Sequence, residues 1–360
     1  KEKLMKIYNY VIILLIGLFV SSCNEADENN LSNNINNEKK INIKMAAAFP
    51  SSLIILGETG LKLSKKINEI SSGNINIKYF EPGALVPPME IFDAVSSGGV
   101  DAGWASPAFW AGKVPALQFF TTFPFGPDPS EYIAWLRYGG GNEIFREIYR
   151  LHNIHSIHCM ATSPEGSGWF REEINSLEDL NGLKMRFLGL GAKVMEKLGV
   201  STQLMAGGDI YPALELGTID ATEYGMPAMD LDLGFHRIAD NYYFPGWHQP
   251  ASLGDLIINL DLWNSLSLAQ QTQIEMTCAE MFLDSLAKSE AVQVEAINKL
   301  KKLGVKIHKW SPEMMDLYRE NWNIVVEEEA SKNVQFKNVW NSIKEFRKEY
   351  AIWHDLGYIK

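Results

Sequence analysis

The chain has 360 residues, 46% of them hydrophobic and 21% charged, values of a globular protein long enough for two domains with their own cores. Forty-four acidic against 33 basic residues leave a net charge of −11. That balance excludes the basic stripe that nucleic-acid binding needs, but a local positive site can still take an anion.

Residues 1–23 read as an export signal rather than as part of a fold. Lys3 and Lys6 precede an apolar run over 11–20, too short to span a bilayer as a mature helix, with Met5 the expected translation start. The run closes on "LFVSSC", where small residues lead to Cys23. This is similar to the lipobox of bacterial lipoproteins, in which the cysteine carries the lipid; an ordinary signal peptide is the alternative. Both place the protein outside the cytoplasm, and the first predicts a periplasmic protein anchored through Cys23. The asparagine-rich, acidic residues 24–40 cannot bury enough surface to order themselves and are expected to be a tether. Two cysteines remain, Cys159 and Cys278, both in apolar surroundings. Two buried thiols are the expectation, with a disulfide left open.

From Ile41 onward the chain uses one unit twice. "INIKMAAAF", a helix over 57–70 and "INIKYF" form a strand–helix–strand unit, followed by "IFDAVSSGGVDAG" over 91–103. "LKMRFLG", a helix to Leu198 and "STQLMA" form a second, followed by "IYPALELGTIDAT" over 210–222. The last members of the two units align without gaps as a short helix, a glycine stop and a strand entry. Two such β-α-β-α-β units predict an α/β fold of two lobes with mainly parallel sheets and a ligand cleft between them. The expected division is 41–160 plus about 250–285 for one lobe and 161–249 plus about 286–333 for the other. An unbroken helical pattern over 268–303 predicts one bracing helix of roughly 50 Å. Residues 334–360 read as an amphipathic helix with Val339, Ile343 and Phe346 on one face, packed on the body or on a second subunit.

Most chemical motifs resolve into bland readings. "HNIHSIHC" looks like a strand, on which His155 points away from His152 and His158, so zinc is not favoured. "YGGGNE" lacks the lysine and hydroxyl of a phosphate loop and reads as a turn. No nucleophile–base pair stands out. A group of strand-end motifs is different: "SPEGSGWF" (163–170), Arg186, "DATEYGMP" (220–227) and "YYFPGWHQP" (242–250). Arg186 lies inside an apolar strand that turns directly into a helix, where a guanidinium and free backbone N–H groups can meet one anion. That anion is expected to be a ligand carboxylate, with an internal pair to Glu223 as the alternative.

Together with "GALVPPMEIFDAVSSGGVDAGWASPAFWAGKVPA", "FPFG", "GWFREEINSLEDLNGLKMRFLGLG" and "MAGGDIYPALELGTIDATEYG", these motifs resemble one family from about Ile41 to the C-terminus. It is the DctP-type solute-binding proteins of TRAP (tripartite ATP-independent periplasmic) transporters, and the closest subgroup binds 2-oxo acids and related monocarboxylates. The resemblance implies a non-catalytic receptor that serves TRAP membrane subunits and forms a homodimer through its C-terminal helix. It implies that Arg186 holds the substrate carboxylate. Glu223, the backbone carbonyl of Tyr224, and Gln249 would hold a metal ion that bridges protein and substrate. Tyr224 stands where the family usually has tryptophan, and Gln249 where it usually has glutamate. Conversely Glu165 stands near a usual glutamine, so the two departures offset each other. The resulting oxygen donors suit sodium or calcium rather than zinc. Phe49, Trp104, Phe109 and Trp247 are expected to exclude water around the acid. The rival readings are a receptor for a dicarboxylate or sugar acid, and a metal-dependent enzyme acting on oxo acids with Glu165 or Glu223 as base.

Overall fold

The computed structural model describes residues 40–359; the leader, Cys23 and the tether lie outside the described residues, Lys40 excepted. The first unit appears as β1 (Ile41–Ala47), α1 (Leu56–Ile70), β2 (Ile75–Phe80), α2 (Ile91–Ser96) and β3 (Ala102–Ala105). Helices α3 (Pro129–Tyr138) and α4 (Gly141–Arg150) then lead to β4 (Ile154–Thr162) and β5 (Gly168–Phe170). The second unit is β6 (Lys184–Arg186), α5 (Gly189–Lys197), β7 (Ser201–Gln203), α6 (Gly207–Glu215) and β8 (Ala221–Thr222). After α7 (Pro227–Leu233) come β9 (Asn241–Phe244), β10 (Ser252–Asn259), α8 (Leu260–Ser265), α9 (Leu268–Ala291) and α10 (Gln293–Lys302). Strand β11 (Lys306–Lys309), α11 (Pro312–Lys332) and α12 (Val334–Gly357) end the chain.

The repeated sequence becomes a repeated topology. One sheet has the order β2-β1-β3-β10-β4 and the other, read from its far edge, β7-β6-β8-β5-β9-β11. In each, the first strand of the unit sits between the second and the third. The sheets are mixed rather than mainly parallel, which corrects the expectation. Strand β10 runs antiparallel to β3 and β4, and β5 runs antiparallel to β8 and β9. The cause is the path of the chain: it leaves the first sheet after β4 to enter the second at β5, and returns from β9 to β10. Each sheet therefore receives its fourth strand directly from the other, and the short segments 163–167 and 245–251 make both crossings.

The expected single brace is two helices. Helix α9 packs on β4 and α1, whereas α10 packs on α7. The break falls at Val292, where the chain passes from one sheet's surroundings to the other's. Helix α9 also shields the edge strand β4, because the Ser285 and Ser289 hydroxyls accept from the N–H groups of Ala161 (3.0 Å) and Ser163 (2.8 Å). These donors would otherwise stay unpaired in a buried place. On the same helix, Cys278 is bridged to Cys159 of β4, so the two expected thiols are a disulfide. At a separation of 119 residues nothing local announces the pairing. Helix α12 buries Phe336, Val339 and Ile343 against the body, with Phe336 4.5 Å from the Phe119 ring. Its last turns leave Ile352, Trp353 and Leu356 exposed.

Strand β4 also accounts for the histidines. His155 stacks on Trp263 (3.8 Å) and His158 on Phe145 (3.9 Å), while His152 precedes the strand. They pack against aromatics and do not converge on a metal. Beside them Asp255 of β10 is fully buried and accepts from the Tyr149 hydroxyl at 2.7 Å. Burial pushes its carboxyl up to about 8, against the lowering effect of that hydrogen bond.

Two outcomes follow. Replacing Cys159 and Cys278 together by serine should lower unfolding free energy by about 2 to 4 kcal/mol in urea titrations. For Asp255 the folded state keeps a proton that the unfolded chain releases near its ordinary value, so its contribution is intact at low pH and lost as pH climbs to about 8. Asp255→Asn stays neutral throughout, so its urea midpoint should gain on the wild type between pH 5 and pH 8.

Candidate functional site

Strands β6 and β8 are parallel neighbours with Arg186 opposite Thr222. Their carboxyl ends therefore coincide, where ligands of such sheets gather. The next residue on β8's side is Glu223, whose N–H donates to the Arg186 carbonyl at 3.2 Å. The side chains meet as well. Arg186 Nη1 lies 2.7 Å from Glu223 Oε1 and 2.8 Å from the Glu223 carbonyl oxygen. Leu188, just ahead of α5, donates its N–H to the same Oε1 at 2.5 Å. The guanidinium and the helix start do share one anion, and in this structure it is Glu223. The guanidinium also lies 5.1 Å above the Tyr224 ring, a cation–π contact. Its Nη2 group donates to none of the described residues.

The remaining members come from the two crossing segments. These are tied together by backbone bonds: Glu165 N–H donates to the Gln249 carbonyl and Gly246 N–H to the Glu165 carbonyl, each at 3.2 Å. A Cβ on Gly246 would collide with the Glu165 carbonyl, so only glycine permits this approach. The pairing sets Gln249 Nε2 2.5 Å from Glu165 Oε2 and 3.3 Å from Glu223 Oε2. The two departures from the family pattern thus sit side by side. Gln249 Oε1 is buried without a partner. His248, from the same segment, places Nε2 3.5 Å from Glu223 Oε2.

Carboxyl groups outnumber the arginine. Glu165, Glu223 and Asp230 are buried together with one arginine. Burial would raise the Glu223 carboxyl, but Arg186, His248 and the Leu188 N–H outweigh it and hold it below the ordinary range. Glu165 is pushed well up by burial and by the charges of Glu223 and Asp230. Asp230 is raised to about 7 by burial, although Trp169 and Tyr242 each donate to it at 2.8 Å. Glu165, Glu223 and His248 each offer a donor atom within 4.8 Å of the others. Two buried carboxylates and an orphaned amide oxygen fit a hard cation.

The aromatic expectations divide. Trp247 walls the His248 side, stacked on Tyr318 at 4.4 Å and 6.1 Å from Phe187. Phe49 and Phe109 pair at 5.9 Å on the first-sheet side, and the Phe49 carbonyl accepts from the Tyr79 hydroxyl at 2.5 Å. Burial raises the Tyr79 phenol, with the charges of Glu81 and Tyr224 adding to it. Trp104 is placed elsewhere: its indole N–H is used by the Leu56 carbonyl at 2.8 Å and its ring lies on Gly60 of α1, inside the first sheet's packing. His248 and Asp230 are the members that residue types alone did not single out. His248 was visible inside "GWHQP".

Comparison with known proteins places the chain in a family. A curated relative, the monocarboxylate 2-oxoacid-binding periplasmic protein of Nostoc sp., is 35% identical over 354 residues, covering 98% of this chain and 96% of its own. A TRAP transporter solute-binding protein of Bordetella bronchiseptica superposes with TM-score 0.86 at 35% identity, covering 89% of this chain and 95% of its own. It is a dimer of mixed occupancy, with calcium and picolinate in one site and the other empty. A TRAP periplasmic solute-binding protein of Colwellia psychrerythraea, with bound calcium and pyruvate, gives 0.85 at 32%, covering 89% and 98%. The sequence pattern of the bacterial extracellular solute-binding proteins, family 7, matches residues 45–333. The chain belongs to that family.

Proposed function

We propose that this protein is the extracytoplasmic receptor of a TRAP transporter, capturing a small 2-oxo monocarboxylate of pyruvate size together with a hard cation. The observation that carries this reading is the buried excess of carboxylate beside an arginine with an uncommitted Nη2. Arg186 offers its free edge to the ligand carboxylate while Nη1 stays on Glu223. Glu165, Glu223, Gln249 and the Tyr224 carbonyl hold the cation, and Trp247, Phe49 and Phe109 keep water out. A cation bound there screens the carboxylates from one another and attracts the ligand's carboxylate and 2-oxo oxygens. Two ionised carboxylates, one arginine and a monoanionic ligand sum to −2, which calcium neutralises and sodium halves. A dicarboxylate would add a further charge with no second arginine to meet it.

The roles of Glu165 and Glu223 as ligands leave neither as a base, in keeping with relatives named as binding proteins. The two sheets serve as two lobes, with 41–160 plus about 250–285 in one and 161–249 plus about 286–333 in the other. The paired crossings 163–167 and 245–251 act as the hinge. Cys23 anchors the exported chain through lipid. The exposed Ile352, Trp353 and Leu356 of α12 form the contact with a second copy, which presents the filled receptor to the membrane subunits.

In a thermal-shift panel with calcium present, pyruvate should raise the melting temperature more than malonate or glucuronate does. Arg186→Lys keeps a cation for Glu223 but loses the planar fork, so its pyruvate affinity should fall about tenfold or more, roughly 1.4 kcal/mol. An equal response to all acids, or indifference to Arg186→Lys, would count against the reading. Burial and the charges of Glu223 and Asp230 raise the Glu165 carboxyl and favour its protonated form, with which a cation competes, so calcium should bind more tightly as pH rises and release a proton on binding. Calorimetry in two buffers of different ionisation heat reads that proton, and Glu165→Gln should remove it.

A further inference from the structure

A second cavity, of about 370 Å³, opens between α3, α4, β4 and α9, and none of the residues lining it belongs to the Arg186 cluster. Its floor is polar and unsatisfied. Ser156 is fully buried with no partner for Oγ, and neither ring nitrogen of His158 has a hydrogen-bond partner. Buried polar atoms are ordinarily paired. Burial and the nearby Arg146 lower the His158 imidazole to about 3, so at working pH it is neutral, one nitrogen a donor and the other an acceptor. Leu136 and Phe282 supply apolar surface beside these polar atoms. At the mouth, Arg146 is committed to Glu275 at 3.0 Å, whereas Arg137 is exposed and makes no ion pair among the described residues.

Buried hydrogen-bonding atoms without partners, the apolar side chains of Leu136 and Phe282, and an uncommitted exposed guanidinium line one cavity, and together they match a small molecule with a hydroxyl, a ring and an anionic group. We propose that this cavity is a second ligand site for a small phenolic carboxylate, its hydroxyl on His158 and Ser156, its ring between Leu136 and Phe282, and its carboxylate on Arg137. The site is independent of the receptor reading above.

The test titrates 4-hydroxybenzoate into wild-type protein and variants by calorimetry. Saturable binding should survive Arg186→Lys, weaken about tenfold in Arg137→Gln, and vanish in Ala279→Phe, which fills the cavity from α9. Arg137 is exposed, so its substitution leaves the packing intact. The proposal is overturned if the wild type shows no saturable binding. It is equally overturned if all binding is lost with Arg186→Lys, or if the affinity is indifferent to both Arg137→Gln and Ala279→Phe.

Discussion

The ion pair between Arg186 and Glu223, 2.7 Å long and almost wholly removed from water, is the constraint on which this structure turns. Such a pair is not an efficient source of stability, because desolvating both ions offsets most of their attraction, whereas losing either partner is costly. Its effect is positional. It fixes the ends of β6 and β8 against each other, takes up the Leu188 N–H ahead of α5, and orients the guanidinium over Tyr224. Nη1 of the guanidinium is thereby committed, and Nη2 is left without a partner among the described residues.

The topology explains why the other polar residues arrive at the same spot. Each sheet borrows its fourth strand from the chain as it leaves the other sheet, so two crossing segments run side by side. Glu165 lies on one of them and Trp247, His248 and Gln249 on the other. The same two segments bring the carboxylate and the amide to Glu223. If they act as the proposed hinge, motion and site composition are coupled without a separate relay.

Much of this was legible in the sequence. The duplicated unit appears as two sheets with the same internal strand order, and Arg186, Glu223, Glu165, Gln249 and Tyr224 converge as the strand-end motifs implied. What escaped depended on distant packing. The Cys159–Cys278 bridge needs α9 to lie along β4, and no local pattern encodes that. The break at Val292 carries no proline or glycine; the helix ends because its two halves pack on different partners. Strand exchange made both sheets mixed, and an aromatic such as Trp104 looks the same in sequence whether it faces a ligand or a helix. Asp230 was silent because its role arises only from the indole and phenol that close on it.

The central claim is that cation and acid bind as one unit in this cluster. Linkage makes that measurable, since two ligands bound together must change each other's affinity by the same factor. The direct test is to titrate pyruvate at a series of fixed calcium concentrations and calcium at a series of fixed pyruvate concentrations. Each should tighten the other's dissociation constant by one common factor of about ten or more. Pyruvate binding that is unchanged by saturating calcium would contradict it.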